Sequence, residues 1–293
     1  MATITLKLTQ RPWTAYLSLA KPRAIFPHLI TAAAAMFLAV KGTPPPLTLF
    51  YTLLGGGCVA AAANTFNSYF DRDIDALMAR TCQRPLPSGH VRPGYALAFG
   101  LGLGLAGVLI LNAMVNRTAA LLAAAALVYY VLPYTIWLKR RTYWSAVISS
   151  GIGAMPPLIG WVAVKQGIGL TPLLLAAIIA LWTLPHFWTL AAFRREDYAR
   201  AGLKMLPEKG VNIWITGCAV LLVITTLLLV PAAGMGFIYA GTAGCLGAGF
   251  LYLALRMNFK GSSGAARRLY VYSIFYIAAL YGMMIIDRIV FQI

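Results

Sequence analysis

Long apolar runs separated by short polar connections extend over nearly the whole chain. A run of about 17 to 25 mostly apolar residues is long enough to cross a lipid bilayer as an α-helix. No connection is long enough to form a separate soluble domain, so the pattern predicts an all-α, polytopic membrane protein with one transmembrane domain over residues 1–293. The nine predicted spans lie at approximately 24–40, 47–69, 94–113, 118–138, 143–164, 170–192, 212–231, 236–255 and 270–290.

The composition agrees with a protein embedded in lipid. Of the 293 residues, 60% are hydrophobic and 11% are charged, whereas soluble domains carry about 25% charged residues. A net charge of +17 would suit nucleic acid, but the basic residues are spread over short connections and form no stripe or tail. The composition therefore predicts the lipid bilayer as the environment and no nucleic acid as a partner.

The basic residues also predict the orientation of the chain. With nine spans and a cytoplasmic N-terminus, 20 of the 24 Lys and Arg residues fall in cytoplasmic segments, as the positive-inside rule requires. Residues 1–20 are then a cytoplasmic segment, and the C-terminus lies outside. The first run lacks a convincing cleavage site, and no extended Arg- and Ser-rich leader precedes it, which favours a retained first helix in a bacterial inner membrane.

Acidic residues are rare and concentrated. Six of the seven lie in two connections, after the second and sixth spans. A carboxylate costs about 2.5 to 3.5 kcal/mol at the centre of a membrane helix, so we expect a cationic partner at both places. Residues 71–93 and 194–211 are the predicted cytoplasmic catalytic loops. The acidic residues are Asp71, Asp73, Asp75, Glu196, Asp197, Glu208 and Asp287.

The first acidic cluster follows the second span without a break in the helical pattern. Asn67, Asp71 and Asp75 are spaced four residues apart, which places them on one face of a helix, with Asp73 pointing largely elsewhere. Oxygen ligands of this kind suit Mg²⁺, which takes one or two carboxylates together with substrate phosphates and water. The alternative is a solvated helix end whose Asp and Arg residues pair with one another.

The loop after this cluster favours the metal interpretation. Arg80 and Arg84 precede a turn stiffened by Pro85 and Pro87. Because an arginine fork matches phosphate oxygens, the two side chains are a candidate clamp for a diphosphate.

A second cluster has a similar layout after the sixth span, with acidic residues at a helix end followed by basic residues and a proline. We interpret it as a weak internal pseudo-repeat that brings both clusters to the mouth of one central cavity. Asp197 is its candidate metal or catalytic residue, and Arg194 and Lys204 are its candidate diphosphate ligands. Lys139 and Arg140, after the fourth span, are interpreted first as topology determinants, as are Lys21 and Arg23.

The segment from Asn67 to Gly89, Asn-x-x-x-Asp-Arg-Asp-Ile-Asp followed by Arg-Thr and Arg-Pro-Leu-Pro-Ser-Gly, resembles the UbiA superfamily of intramembrane prenyltransferases. Its Asp-Arg-Asp-Ile-Asp core is similar to the haem O synthase branch, as are Lys21-Pro22-Arg23 and the segment from Pro185 to Tyr198. The resemblance implies nine helices around a central cavity. It also implies Mg²⁺-assisted transfer of a farnesyl group, with addition of water, from farnesyl diphosphate to a vinyl group of haem B.

The second cluster separates the branches of the superfamily. Quinone-making branches carry several aspartates there, whereas this chain has His186, Glu196 and Asp197, which indicates haem as the acceptor. His186 is a candidate ligand of haem iron or a group that orients water, and His28 is a second candidate haem-binding residue. Lys21 and Arg23 could instead meet the haem propionates. Haem A synthase and terminal oxidase assembly proteins are candidate partners that the residues do not decide.

Two other functions stay open on the residues alone. A UbiA-type prenyltransferase that acts on a quinone precursor or another acceptor would need the same metal site. A secondary transporter is the alternative from another class, although transporters place their binding sites near the membrane midplane, whereas these carboxylates lie at one face.

Overall fold

The computed structural model describes residues 12–207, 210–260 and 263–291. Within that part of the chain the secondary structure is helical and contains no β-strand. The α-helices are α1 Pro12–Ala20, α2 Pro22–Val40, α3 Pro46–Phe70, α4 Arg72–Leu77, α5 Pro93–Met114, α6 Arg117–Tyr129, α7 Ser145–Gly153, α8 Met155–Val164, α9 Leu170–Phe193, α10 Arg195–Arg200, α11 Val211–Ala233, α12 Phe237–Lys260 and α13 Ser263–Phe291, and a π-helical segment, Tyr130–Leu138, follows α6.

Nine helical stretches in the described residues are long and apolar enough to cross a membrane. Each overlaps one of the nine runs predicted from the sequence, so the predicted all-α, nine-span fold is confirmed. The largest difference is in the last span, which begins at Ser263 and not near residue 270. Arg267 and Arg268 lie in its first turns. The apolar run in the sequence therefore begins only after these two residues, although the helix begins before them.

Prolines mark where several spans begin or change course. Pro22, Pro46 and Pro93 each occupy the first turn of a helix, where the missing N–H donor costs nothing. Pro133 lies inside the π-helical segment, and a proline in that position cannot complete an α-helical hydrogen bond. The fourth span therefore changes from α to π geometry in the half that leads to Lys139.

Glycines allow some helices to approach each other closely. A methyl group on Gly160 in α8 would lie 2.1 Å from the carbonyl oxygen of Ala32 in α2, and one on Gly107 in α5 would lie 2.6 Å from the carbonyl oxygen of Gly55 in α3. Close backbone approach at small residues is a principal way in which membrane helices pack. These two contacts bring α2 against α8 and α3 against α5.

Asp287 and Arg288 of α13 form polar contacts, called here the Asp287 clasp, with the connection between α11 and α12. This connection lies at the end of the bundle remote from the acidic loops. The carboxylate of Asp287 in α13 accepts hydrogen bonds from the backbone N–H groups of Gly236 and Tyr239, at 2.7 and 3.0 Å. The neighbouring Arg288 donates to the carbonyl oxygen of Ala233 at the end of α11. One turn of α13 thus stabilises the ends of two other helices.

The two loops with the acidic clusters have the same local architecture. Helix α3 ends at Phe70, with Asp71 as its C-cap, and is followed by the six-residue α4. Helix α9 ends at Phe193, with Arg194 as its C-cap, and is followed by the six-residue α10. The backbone N–H of Asp71 still bonds to the carbonyl oxygen of Asn67, and that of Asp75 to the carbonyl oxygen of Asp71. The spacing of Asn67, Asp71 and Asp75 therefore stays helical across the break.

Candidate functional site

A cavity of about 710 Å³ lies inside the bundle, within the range typical of ligand sites. Side chains from α2, α3, α6, α9 and α13 form its wall, and most of them are apolar. Charged side chains gather at the end next to α4 and its loop. The lining residues at this charged mouth include Asn67, Asp71, Asp75, Arg80, Arg84, Lys139 and Tyr198.

Asp71 is buried at the mouth, with 2% of its surface exposed. Its Oδ2 atom accepts hydrogen bonds from the ammonium group of Lys139 and from the side-chain amide of Asn67, the latter at 2.6 Å. Its Oδ1 atom is buried and has no hydrogen-bond partner in the described part of the chain. A buried carboxylate oxygen without a partner is costly, so this atom is suited to bind a cation.

Asp75 is also buried, one helical turn further along the chain. One terminal nitrogen of Arg84 donates to both of its carboxylate oxygens, at 2.9 and 2.7 Å. Arg84 is half-buried and lines the cavity together with the exposed Arg80. The sequence-predicted metal residues and the first pair of diphosphate residues therefore lie side by side.

Lys21 approaches the same cluster from the junction of α1 and α2. Its ammonium group donates to the side-chain oxygen of Asn67 at 3.0 Å. Burial lowers the pKa of Lys21 to about 7, and the positive charge of Arg84 contributes to the same change. The side-chain amide of Asn67 thus lies between the ammonium group of Lys21 and the carboxylate of Asp71 and is hydrogen-bonded to both.

Asp73 points away from the cavity, as its position on the helix predicts. Its carboxylate is exposed and binds the guanidinium of Arg140 through two contacts of 2.7 Å. The hydrogen bond from Arg140 lowers the pKa of Asp73. The three aspartates of one short segment therefore have three different basic partners, Lys139, Arg84 and Arg140.

The second loop contributes to the cavity through other residues than those predicted. Asp197 is buried and pairs with Arg200 at 2.6 Å, while its neighbour Tyr198 lines the cavity. Burial raises the pKa of the Tyr198 hydroxyl. Arg194 and Lys204 are exposed, and the guanidinium of Arg194 lies 4.5 Å from the ring centre of Phe193. In the described structure these three predicted residues, Asp197, Arg194 and Lys204, are not part of the cavity wall.

Both histidines proposed from the sequence line the cavity. His186 in α9 contacts the hydroxyl of Ser273 in α13, with 2.8 Å between its Nδ1 and the Ser273 Oγ. Its ring stacks on Trp182 with centroids 4.6 Å apart. The Nδ1 atom of His28 lies 2.9 Å from the carbonyl oxygen of Ala24, in the preceding turn of its own helix.

Lys139 is a site residue whose role the sequence did not reveal. It is one of three consecutive basic residues at the end of the fourth span, and a topology role accounts for all three equally well. Its contact with Asp71 joins residues 68 positions apart, so no local spacing marks it. Tyr134, about one helical turn earlier, is buried and lines the cavity. The only signal for Lys139 in the sequence was its position directly after this apolar segment.

The donor set fits one hard divalent cation that shares its coordination with a substrate. Asp71 and Asp75 supply carboxylates and Asn67 an amide oxygen, which are the ligand types Mg²⁺ prefers. No group of three or more His, Cys, Asp or Glu side chains that could hold a metal occurs among the described residues. A metal at the mouth would therefore need oxygen atoms from a bound phosphate group to complete its coordination.

These features define a polytopic membrane protein with an internal cavity that has paired carboxylates and cations at one mouth. The chain belongs to the UbiA prenyltransferase family, whose sequence model matches residues 28–280. The family resemblance read from the Asn67–Gly89 segment is thereby confirmed.

Its curated relatives point to one branch of that family. The chain is 44% identical over 279 residues to a protein from Gloeobacter violaceus named protoheme IX farnesyltransferase, and the alignment covers 94% of this chain and 92% of that relative. It is 42% identical over 280 residues to a protein of the same name from Roseiflexus castenholzii, and this alignment covers 94% of this chain and 52% of that relative. The chain thus spans about half the length of the Roseiflexus relatives it matches.

Solved structures share the fold. A structure of digeranylgeranylglyceryl phosphate synthase superposes with a TM-score of 0.79 at 19% identity, covering 96% of this chain and 99% of the other. A UbiA homolog from Archaeoglobus fulgidus bound to GPP and Mg²⁺ superposes with a TM-score of 0.64 at 17% identity, covering 92% and 99%. At these identities the likeness shows the fold.

Proposed function

We propose that the protein transfers a farnesyl group from farnesyl diphosphate to a vinyl group of haem B, with addition of water, to form haem O. The observation that carries the proposal is a mouth with two buried aspartates and several cations that opens into an apolar cavity. Relatives named protoheme IX farnesyltransferase, similar over 94% of this chain, support the choice of substrates.

The charged mouth suits the diphosphate end of the prenyl donor. Arg80 and Arg84, which line the cavity, would bind its oxygens. Arg194 and Lys204 of the second loop lie outside the cavity wall and stay predictions from the sequence as diphosphate ligands. Asn67, Asp71 and Asp75 would hold Mg²⁺, whereas Asp197, which pairs with Arg200 outside the cavity wall, stays a prediction from the sequence. When bound there, Mg²⁺ stabilises negative charge on the leaving diphosphate. The apolar wall of the cavity would hold the isoprenoid chain and exclude water from it.

The proposed reaction breaks the C1–O bond of the donor, the π bond of the vinyl group and one O–H bond of water, and it forms one C–C bond and one C–O bond. The bond between C1 of the farnesyl group and the diphosphate oxygen breaks, and its electron pair leaves with diphosphate. The terminal vinyl carbon of haem B bonds to C1, which leaves a cationic carbon next to the porphyrin. Water adds to that carbon and releases a proton, which gives the hydroxyethylfarnesyl side chain.

The location of this activity follows the charge distribution. We infer that the chain is a multi-pass protein of a bacterial inner membrane, with the mouth and the loops 71–93 and 194–211 on the cytoplasmic side. Farnesyl diphosphate is charged and would reach the mouth from the cytoplasm, whereas haem B and the product are apolar enough to exchange with the bilayer. Haem A synthase and terminal oxidase assembly proteins are the candidate partners that would receive haem O.

The test is a haem extraction profile. Membranes containing the full chain, incubated with farnesyl diphosphate, haem B and Mg²⁺, are expected to yield haem O and diphosphate. Asp75→Asn is expected to lower the haem O yield at least about 100-fold, because the electrostatic contribution at the leaving group is lost. Asp73→Asn is the matched control, since Asp73 faces away from the cavity, and should keep most of the yield.

Three results would contradict the proposal in distinguishable ways. A haem O yield that survives Asp75→Asn unchanged would remove the site assignment. Prenylation of an aromatic acid in place of haem B would indicate a quinone-type enzyme. Uptake of a solute without release of diphosphate would indicate a transporter.

A further inference from the structure

His186 belongs to a hydrogen-bonded chain that fixes which of its ring nitrogens carries a proton. The hydroxyl of Ser273 lies 2.6 Å from the carbonyl oxygen of Tyr270 in the preceding turn of α13. Two oxygen atoms at that distance repel unless a proton lies between them. The single hydroxyl proton of Ser273 is therefore directed to Tyr270 and is not available to His186.

It follows that His186 is the donor in its own contact with Ser273. The Oγ atom of Ser273, with its proton committed, can only accept at the 2.8 Å contact with Nδ1. The imidazole is therefore the Nδ1–H tautomer, and its Nε2 atom carries a lone pair. No hydrogen bond engages Nε2 within the part of the chain that the structure describes, and His186 is a half-buried residue of the cavity wall.

The ring is also held in place by its neighbours. Trp182 stacks on it at 4.6 Å between centroids with an angle of 22°, and Tyr270 contacts it at 4.9 Å. The indole N–H of Trp182 donates to the backbone oxygen of Ser273 at 2.7 Å. Two side chains of α9, one turn apart, thus bind the same buried serine of α13, which sets the orientation of the imidazole before any ligand enters.

We propose that Nε2 of His186 is an axial ligand of the iron of the haem acceptor and that Ser273 is a positioning residue that fixes the ligating tautomer. This inference rests on the proposed function, because it takes an iron porphyrin as the occupant of the cavity. A neutral imidazole whose other nitrogen donates a hydrogen bond is the usual form of a histidine that binds a metal. Ligation from α9 would hold the porphyrin in the apolar part of the cavity, beside the charged mouth where the prenyl donor binds.

The experiment is a titration of the purified full chain in detergent with ferric haem, followed by Soret absorbance and electron paramagnetic resonance. The wild type should show the spectrum of histidine-ligated haem. His186→Gln should lose that signature and bind haem at least about tenfold more weakly. His186→Gly with added imidazole should regain the histidine-type spectrum, which a purely structural role would not do. His90→Gln, in an exposed loop, is the matched control and should match the wild type.

Ser273 is tested by two variants that differ in the hydroxyl. Ser273→Ala removes the acceptor for Nδ1–H and is expected to shift the spectrum and weaken haem binding severalfold. Ser273→Thr retains the hydroxyl and should restore the wild-type spectrum. If Ser273→Ala leaves the spectrum unchanged, the positioning role is wrong.

The results separate this inference from the proposed function. If His186→Gln retains the histidine-type spectrum, or if His28→Gln loses it instead, ligation by His186 is overturned, while haem O formation by the wild type would leave the proposed function intact. If the wild type forms no haem O yet still shows His186-dependent haem ligation, the proposed reaction fails and the haem site stands.

Discussion

At the scale of single residues, burial distinguishes ion pairs that look alike in the sequence. The Asp71–Lys139 pair has side chains that are 2% and 15% exposed, whereas the Asp73–Arg140 pair has side chains that are 63% and 39% exposed. Exposed pairs contribute about 0 to 1 kcal/mol to stability, because water screens them. Removing one partner of a buried pair costs about 3 to 5 kcal/mol, because the other charge stays buried without compensation. The two pairs should therefore respond very differently to mutation.

We predict that Lys139→Met strongly destabilises the protein and that Asp71→Asn in the same chain recovers much of the loss. The measurement is a double-mutant cycle on thermal unfolding in detergent. The matched cycle is Arg140→Met with Asp73→Asn, for which each change should cost less than about 1 kcal/mol. Equal losses in the two cycles would show that the Asp71–Lys139 contact is not a buried pair.

At the scale of helices, small residues decide which helices can touch. The Cβ atom of an alanine at position 160 would lie 2.1 Å from the backbone oxygen of Ala32. Backbone atoms cannot move aside as a flexible side chain can, so α8 would have to move away from α2. Since α2 and α8 both contribute to the cavity wall, the displacement should affect binding as well as stability.

Gly160→Ala is therefore expected to destabilise the protein by at least about 2 kcal/mol, as overpacking of a tight interface does. The measurement is the temperature at which the monodisperse peak is lost in size-exclusion chromatography after heating. Gly151→Ala in α7 is the control, because a Cβ atom there meets nothing within 4 Å and alanine favours a helix over glycine. A Gly160→Ala protein as stable as this control would contradict the proposed close contact.

The Asp287 clasp leads to a second prediction about helices. Asp287→Ala leaves the N–H groups of Gly236 and Tyr239 without their acceptor, and loss of such a cap costs about 0.5 to 2 kcal/mol. Asp287→Asn retains one acceptor oxygen and should be less destabilising. Because the clasp lies at the opposite end of α13 from the charged mouth, prenyl transfer below the unfolding temperature should change little in both variants. Loss of activity without a change in thermal stability would show that Asp287 has another role.

At the scale of the whole molecule, the spans were predictable because each depends on a local property. The length of each apolar run marks the spans, and the four-residue spacing places Asp71 and Asp75 on one face. The pairing of Asp71 with Lys139 and of His186 with Ser273 was not predictable, because these contacts join residues 68 and 87 positions apart. Such contacts depend on how the spans pack, which local periodicity does not determine.

The last prediction concerns the orientation of the molecule in the membrane, and it rests on the distribution of the basic residues. The positive-inside rule places the mouth, with Arg92 nearby, in the cytoplasm, and places Lys165 between α8 and α9 outside. We test this in a chain whose native cysteines are replaced by alanine, using a membrane-impermeant maleimide. Lys165→Cys should be labelled in spheroplasts, and Arg92→Cys only in inverted membrane vesicles. Because both positions are exposed in the structure, failure to label reports sidedness and not burial. The opposite labelling pattern would place the mouth outside, where a cytoplasmic prenyl diphosphate could not reach it.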